Sequence, residues 1–264
     1  MIIGVDMGAS AVKVCVLEGG EVAFTHYEHG RGGDIPALLE RLGIDAVQAE
    51  LIALTGLSAK SSGLERLGRP VKYIPEPDSI GEGACSLTGR DNLIVASIGT
   101  GTAFVHAKGG VYTHLCGTGV GGGTLKGLAV KVLGERDMRR FDHMAMDGDC
   151  GRVDLLIGDF VESYGILDPE ITASNLARLD PMATDADWAA GLANLVLQVI
   201  GTMSLLACSS SGAESVAVIG AMADTEPSRA NFAKFQRVYG RDFLIPEHSA
   251  CATAIGAARR AMCV

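Results

Sequence analysis

The stretch VASIGTGTAFVHA, from Val95 to Ala107, sets two apolar runs on either side of Gly99, Thr100, Gly101 and Thr102. Short runs rich in β-branched and aromatic residues around a glycine break read as strand, turn and strand. Glycines let a ligand approach the backbone closely, and two threonine hydroxyls supply donors. A phosphate needs both from a turn that carries no charge of its own. A tight hairpin whose threonines merely favour strand is the plainer reading of the same residues. Extended to NLIVASIGTGTAFVHAKGGVYTHL, the pattern becomes strand, Gly turn, strand, Gly-Gly turn, strand, and MIIGVDMGASAVKVCVLEGGEVAFTHY has already spelled it at the start of the chain. The chain therefore restarts near residue 92. Two α/β lobes with equivalent beginnings are expected, 1–91 and 92–264, with a ligand cleft between them.

Between the two meanders, GDIPALLERLG offers Asp34 as N-cap, Pro36 in the first turn, Leu38, Leu39 and Leu42 on one face, and Gly43 as a stop. AELIALTG and VKYIPE are of strand length, so the first lobe reads βββ-α-β-α-β. After the second meander come a glycine run from Gly117 to Gly123, a helix at LKGLAVKVLG, an interposed segment, and a long helix from about Asp187 to Cys208. SVAVIGAMAD, a helix, DFLIP and ATAIGAARRA then alternate strand with helix.

With 264 residues, 48% of them hydrophobic and 20% charged, the chain can bury a substantial core. A formal net charge of -9 gives no electrostatic basis for nucleic acid or an anionic membrane as the main partner. A small anion would have to be met by a local site. The seven cysteines are odd in number and show no CxxC spacing, which favours reduced thiols and a cytoplasmic location. MIIGVDMGAS lacks the basic and apolar regions of a signal peptide, and no uninterrupted apolar stretch reaches membrane-spanning length. Neither export nor membrane insertion is expected.

Three further constellations carry chemistry. In GVDMGASAVKV, Asp6 ends a strand, Gly8 turns the backbone, Ser10 adds a hydroxyl and Lys13 stands on the returning strand, so amides and a cation can meet an anion while Asp6 serves a metal. An ordinary hairpin with an exposed lysine is the plainer reading of that string taken alone. In GTGVGGGTLKGLAVKVLG, a glycine run that includes Gly121, Gly122 and Gly123 leads into a helix, whose N-terminal dipole then points at whatever fills the loop. It matches neither the Rossmann fingerprint nor a Walker A loop. In IPEPDSIGEGA, Glu76 and Asp78 follow a strand; Glu76 fits a base for a substrate hydroxyl, and helix capping by Asp78 and Ser79 with a solvated Glu76 fits the same residues. His114, His143 and His248 lack ligand spacing, and Arg139–Arg140 and Arg259–Arg260 read as solvated helix faces.

Together Asp6 to Lys13, ASIGTGT, GTGVGGGTLKGL and IPEPDSIGEGA resemble the type II pantothenate kinases of the actin-like, sugar-kinase-like ATPase superfamily. HMAMDGDCGRVDLLIGD, ITASNLARL, SVAVIGAM and ATAIGAA extend the resemblance over nearly the whole chain. It implies a two-lobed actin-like ATPase fold, a duplicated ribonuclease-H-like α/β unit with the nucleotide in the cleft. The implied reaction is ATP- and Mg²⁺-dependent phosphorylation of pantothenate to 4'-phosphopantothenate in coenzyme A biosynthesis, by a homodimer. On that resemblance Asp6, Gly8, Ser10 and Lys13 form the first phosphate loop, Asp6 serving Mg²⁺ through water and Lys13 the transferred phosphoryl group. Gly99, Thr100, Gly101 and Thr102 form the second, Gly121, Gly122 and Gly123 wrap the nucleotide phosphates or ribose, and Glu76 is the base. The chain departs from the family pattern at two places. Ser10 follows Ala9 where Gly-Gly-Thr is usual, and Thr113 and His114 stand where the family carries an arginine that holds the acceptor. That second change admits one rival, a kinase of another hydroxylated acid or amide, and a non-catalytic nucleotide-binding regulator or activator is a second rival of a different class. Activators of the cysteine-ligated type need a paired-Cys site, whose spacing Cys116 and Cys150 lack.

Overall fold

The computed structural model describes residues 1–30, 33–56, 62–160 and 168–263. The opening meander forms β1 (Ile2–Met7), β2 (Ala11–Glu18) and β3 (Glu21–His29), antiparallel in sequence. β4 (Leu51–Thr55) lies parallel to β1 on its other side, and β5 (Val71–Tyr73) parallel to β4, giving the order β3-β2-β1-β4-β5. The second meander is β6 (Asn92–Ile98), β7 (Thr102–Lys108) and β8 (Val111–Thr118). A short ribbon, β9 (Leu155–Leu156) with β10 (Thr172–Ser174), precedes β11 (Ser215–Ile219) and β12 (Asp242–Leu244), which complete the order β12-β11-β6-β7-β8. Read from its own first strand, each sheet is therefore wound in the same way.

Alternation along the strands decides which helix covers which face. On one face of the first sheet, Ile3, Val5, Met7, Val12, Val14, Ile52 and Leu54 join Ile35, Leu38 and Leu39 of α1 (Ile35–Arg41). Asp34 caps that helix through the Ala37 amide, with Pro36 in the first turn, as the sequence predicts. One face of the second sheet presents Ile94, Ala96, Ile98, Phe104, Val216 and Val218 to α5 (Asp185–Ser211) and α6 (Glu226–Tyr239). α5 is two residues longer at its start and three at its end than its apolar periodicity indicates. A Thr184–Asp187 capping box starts it, and Gly212 in the left-handed region stops it. It is long and apolar enough to cross a membrane, yet 56% of its most apolar window is buried inside the protein, as in a core helix.

The remaining faces are covered by two helices that change sides. α2 (Glu76–Thr88) follows β5 but sets Ile80 and Ala84 against Leu93, Val95, Val105 and Ile219 of the second sheet. α7 (Ala252–Cys263) follows β12 but lays Ala254, Ile255 and Ala258 on Cys15 and Leu17, and Ala257 and Ala261 on Ala53, in the first sheet. Where the two helices cross, backbone meets backbone: a Cβ on Gly256 would lie 1.9 Å from the Ser79 carbonyl oxygen, and one on Gly83 2.0 Å from that of Ala252. A Cβ on Gly4 of β1 would similarly lie 2.1 Å from the Ala254 oxygen. Three glycines thus allow α7 to seat between sheet and helix.

The glycine segment differs from its sequence reading in detail. β8 runs through Gly117 and Thr118, and the helix begins three residues earlier than LKGLAVKVLG indicates, as α3 (Gly122–Leu128). A π-helical turn, Ala129–Leu133, continues it to Gly134. The interposed segment contains α4 (Met138–Asp147). All seven cysteines are free thiols.

Candidate active site

The turns that follow β1 and β6 meet at the carboxyl ends of strands of the two sheets, the end at which open α/β sheets bind ligands. Antiparallel register sets Lys13 of β2 opposite Asp6 of β1, and its Nζ donates to Asp6 Oδ2 at 2.8 Å. Both side chains are largely withdrawn from water, at 15% and 4% exposure, so each charge depends on the other for compensation. A Cβ on Gly56 would lie 2.8 Å from Asp6 Oδ1 and 2.5 Å from the Met7 carbonyl oxygen, and Gly56 has φ +98°. Space and backbone conformation both require glycine there.

Glu76 is the first residue of α2 and is half-buried. Desolvation, and then the Asp6 charge, raise its pKa above the ordinary carboxylate value, while Lys13 and His114 oppose the rise. A carboxylate displaced upward beside a charged pair has the character of a general base. The capping alternative does not hold. Pro75 occupies the N-cap with no side-chain cap bond, and the Ser79 hydroxyl donates back to the Pro75 carbonyl at 3.1 Å. Asp78 turns instead toward Arg260 of α7, 3.9 Å away, whose guanidinium lies 5.3 Å from the Tyr112 ring centroid.

The two hairpin turns touch. Ser10 Oγ and Thr100 Oγ1 are 2.8 Å apart, joining the first lobe's turn to the second's. Below them the Gly121–Gly123 segment lies directly on the Gly99–Thr102 turn. The Gly122 amide donates to Gly99 O and the Gly123 amide to Thr100 O, each at 2.9 Å, and the Thr102 hydroxyl donates to Val120 O at 2.8 Å. A Cβ on Gly121 would come within 2.7 Å of the Gly101 carbonyl carbon. Close approach therefore explains these glycines, since none of the three has a left-handed φ. The two amides and the Thr102 hydroxyl are spent on holding the turn, which leaves Thr100 as the turn's outward hydroxyl.

Among the described residues no group of three His, Cys, Asp or Glu side chains forms a metal site. Asp6 stands as a single buried carboxylate at a strand end. That donor set suits Mg²⁺, which keeps several waters and takes one or two protein carboxylates, and Lys13 with the hydroxyl-bearing turns suits the phosphates. His114 lies exposed on β8, paired with Val105. His248 contacts Thr25 through Nδ1 at 3.4 Å, and His143 lies on α4, so the three histidines do not assemble. The Thr55-Gly56 pair is what sequence reasoning passed over. AELIALTG reads as a strand, and its signal is positional: a Thr-Gly at the carboxyl end of a strand beside β1.

A family model described as Fumble matches residues 92–257. The chain is 29% identical over 265 residues to a type II pantothenate kinase of Oceanobacillus iheyensis, covering 97% of each. It is 28% identical to one from Staphylococcus saprophyticus, covering 83% of this chain and 84% of that one. Among solved structures, the ADPNP-bound activator of the 2-hydroxyisocaproyl-CoA dehydratase from Clostridium difficile superposes with TM-score 0.68 at 16% identity, over 98% of this chain and 93% of that one. A ROK hexokinase from Thermus thermophilus gives 0.59 at 15% identity, over 98% and 96%. These likenesses place the two equivalent sheets in the two-lobed actin-like ATPase fold. The chain belongs to the Fumble family, that of the type II pantothenate kinases.

Proposed function

We propose that this protein transfers the γ-phosphoryl group of ATP to the primary hydroxyl of pantothenate, giving 4'-phosphopantothenate. Membership of the family makes it an ATP-dependent phosphotransferase acting on an alcohol; the acceptor is the proposal. The relatives named type II pantothenate kinase support that acceptor, and the observation that carries the transfer is Glu76, a half-buried carboxylate that follows β5 beside the Asp6–Lys13 pair. Glu76 takes the proton of the attacking hydroxyl, and Lys13 offsets charge on the phosphoryl group. Asp6 would hold Mg²⁺ through water, and the ion would supply charge neutralisation on the phosphates. Ser10 and Thr100 close over the phosphates from the two lobes, 1–91 and 92–264, while Gly121, Gly122 and Gly123, packed against the Gly99–Thr102 turn, hold that turn in place for the nucleotide. The assignment is completed by a homodimer in the cytoplasm, with neither nucleic acid nor membrane as partner.

One observation favours a second reading. Thr113 and His114 stand on β8 where the resemblance leads one to expect an arginine; the His114 charge acts on Glu76, and a histidine does not reproduce a permanently charged, bidentate guanidinium. A related hydroxyl acceptor would lose less by that change than pantothenate does. A coupled assay offering pantothenate, pantetheine and pantoate with ATP and Mg²⁺ tests both. Preferred turnover of pantothenate is expected, and turnover of another acceptor alone would leave the kinase and remove pantothenate.

A further inference from the structure

Thr55 is the last residue of β4, fully buried, and its hydroxyl finds no hydrogen-bond partner among the described residues. Leaving a buried hydroxyl unpaired is costly, which makes its position informative. Ile52 and Leu54 point into the α1 core, so alternation turns Ala53 and Thr55 to the opposite face, where Ala53 meets α7. Asp6 occupies that same face of β1, and parallel register pairs it with Thr55. On its other side β4 pairs with β5, whose chain continues through Ile74 and Pro75 into Glu76. Thr55 thus lies on the floor between the strand that carries Asp6 and the strand that delivers Glu76, and the proposed phosphoryl transfer leaves it unused.

We propose that Thr55 is a positioning residue for the divalent cation: its hydroxyl hydrogen-bonds a water of the hydration shell that Asp6 also holds. The inference rests on the reading of Asp6 as the cation's carboxylate. Mg²⁺ dehydrates reluctantly, so a site with one protein carboxylate must fix the ion mainly through its waters. Those waters need oriented partners, and a hydroxyl can both donate and accept. Asp6 already receives Lys13 on Oδ2, while its Oδ1 lies on the side of Gly56, next to Thr55.

The test is calorimetric binding of ATP to the full chain, with Mg²⁺ and with EDTA, for wild type, Thr55→Val and Thr55→Ser, together with thermal unfolding of each without ligand. Thr55→Val should bind ATP as wild type does in EDTA, yet need about tenfold more free Mg²⁺ to reach half of the Mg²⁺-dependent tightening. Thr55→Ser should restore it. Ligand-free Thr55→Val should unfold no earlier than wild type, because the hydroxyl it loses makes no bond. Thr55→Ala replaces Val if that variant does not fold. Unchanged Mg²⁺ dependence in Thr55→Val overturns the proposal, as does equal weakening of ATP with and without Mg²⁺, or a Ser variant as impaired as Val. Mg²⁺-dependent ATP binding without pantothenate turnover would sink the acceptor and leave Thr55 standing. Absence of Mg²⁺-dependent binding in wild type would remove Asp6 and Thr55 together.

Discussion

The two sheets share a strand order but not a way of presenting their leading turns. Under the first turn lies a buried ion pair, Asp6 with Lys13, and the face of its sheet turned away from α7 is backed by one α-helix of seven residues. The second turn carries no charge. It is braced by bonds from Gly122, Gly123 and Thr102, and its sheet is backed by a helix of 27 residues with α4 and α6 around it. One topology has thus been specialised twice. The more lightly covered half concentrates charge and the carboxylate proposed as the base, and the more heavily covered half offers a stiff, neutral turn. An ionised group can exchange partners as a ligand arrives, whereas a backbone-braced turn has to be right beforehand.

The strongest way to break that contrast is at Glu76. Glu76→Gln should lower kcat by about two to four orders of magnitude and leave ATP affinity nearly unchanged, because a base acts in the transition state and barely in nucleotide binding. Retained kcat in that variant would return the chemistry to another group. The same substitution has a stability signature. Burial and Asp6 raise the Glu76 pKa from the ordinary value of 4.5, so the native state holds this proton more firmly than the unfolded chain does. Stability is then lost as pH rises through the raised value. The Gln variant should therefore unfold at a higher temperature than wild type at pH 7 and gain little at pH 4, as scanning calorimetry at both pH values would reveal.

Next in size is the contact that holds the halves together. Gly256→Ala forces a methyl group to within 1.9 Å of the Ser79 oxygen, and overpacking of this kind costs about 1–3 kcal/mol. Urea unfolding should show a lower midpoint with both lobes lost in one transition. Two separate transitions would mean that the lobes stand alone.

His114→Arg sharpens the comparison on β8. A charge-assisted bond to a carboxylate contributes about 1.5–3 kcal/mol, so kcat/KM for pantothenate should rise about tenfold. A rise for another acceptor instead would support the second reading. The smallest effect belongs to the bridge between the turns. Ser10 and Thr100 are exposed, so Thr100→Val should cost stability at the low end of about 0.5–1.5 kcal/mol. Its larger mark should be a raised KM for ATP, and an unchanged KM would assign the bridge to structure alone.

Much of this was legible in the chain because it is locally encoded. Alternating apolar residues and Gly-Gly turns give two meanders, and a tight hairpin register sets residue 6 opposite residue 13 without any tertiary information. The exchange of α2 and α7 was not legible, since an amphipathic helix records that it has an apolar face but not which sheet receives it. The fate of the glycine amides escaped for a similar reason. Glycine in a sequence signals close approach, and only the fold reveals that the approaching partner is the Gly99–Thr102 turn itself. Thr55 looked like any β-branched strand residue; what sets it apart is the neighbour that a parallel pairing brings alongside.

The crossing of α2 and α7 has a consequence for heredity. A gene fragment ending at Arg90 would encode a sheet stripped of one cover and a helix without its seat, and the complementary fragment would carry the mirror defect. Recombination cannot trade one half for a cousin's without also matching Gly83 to Gly256 and Gly4 to Ala254, contacts that no side chain can soften. Two units alike enough to share a winding have become a single inherited object, dovetailed by the helix each lends to the other.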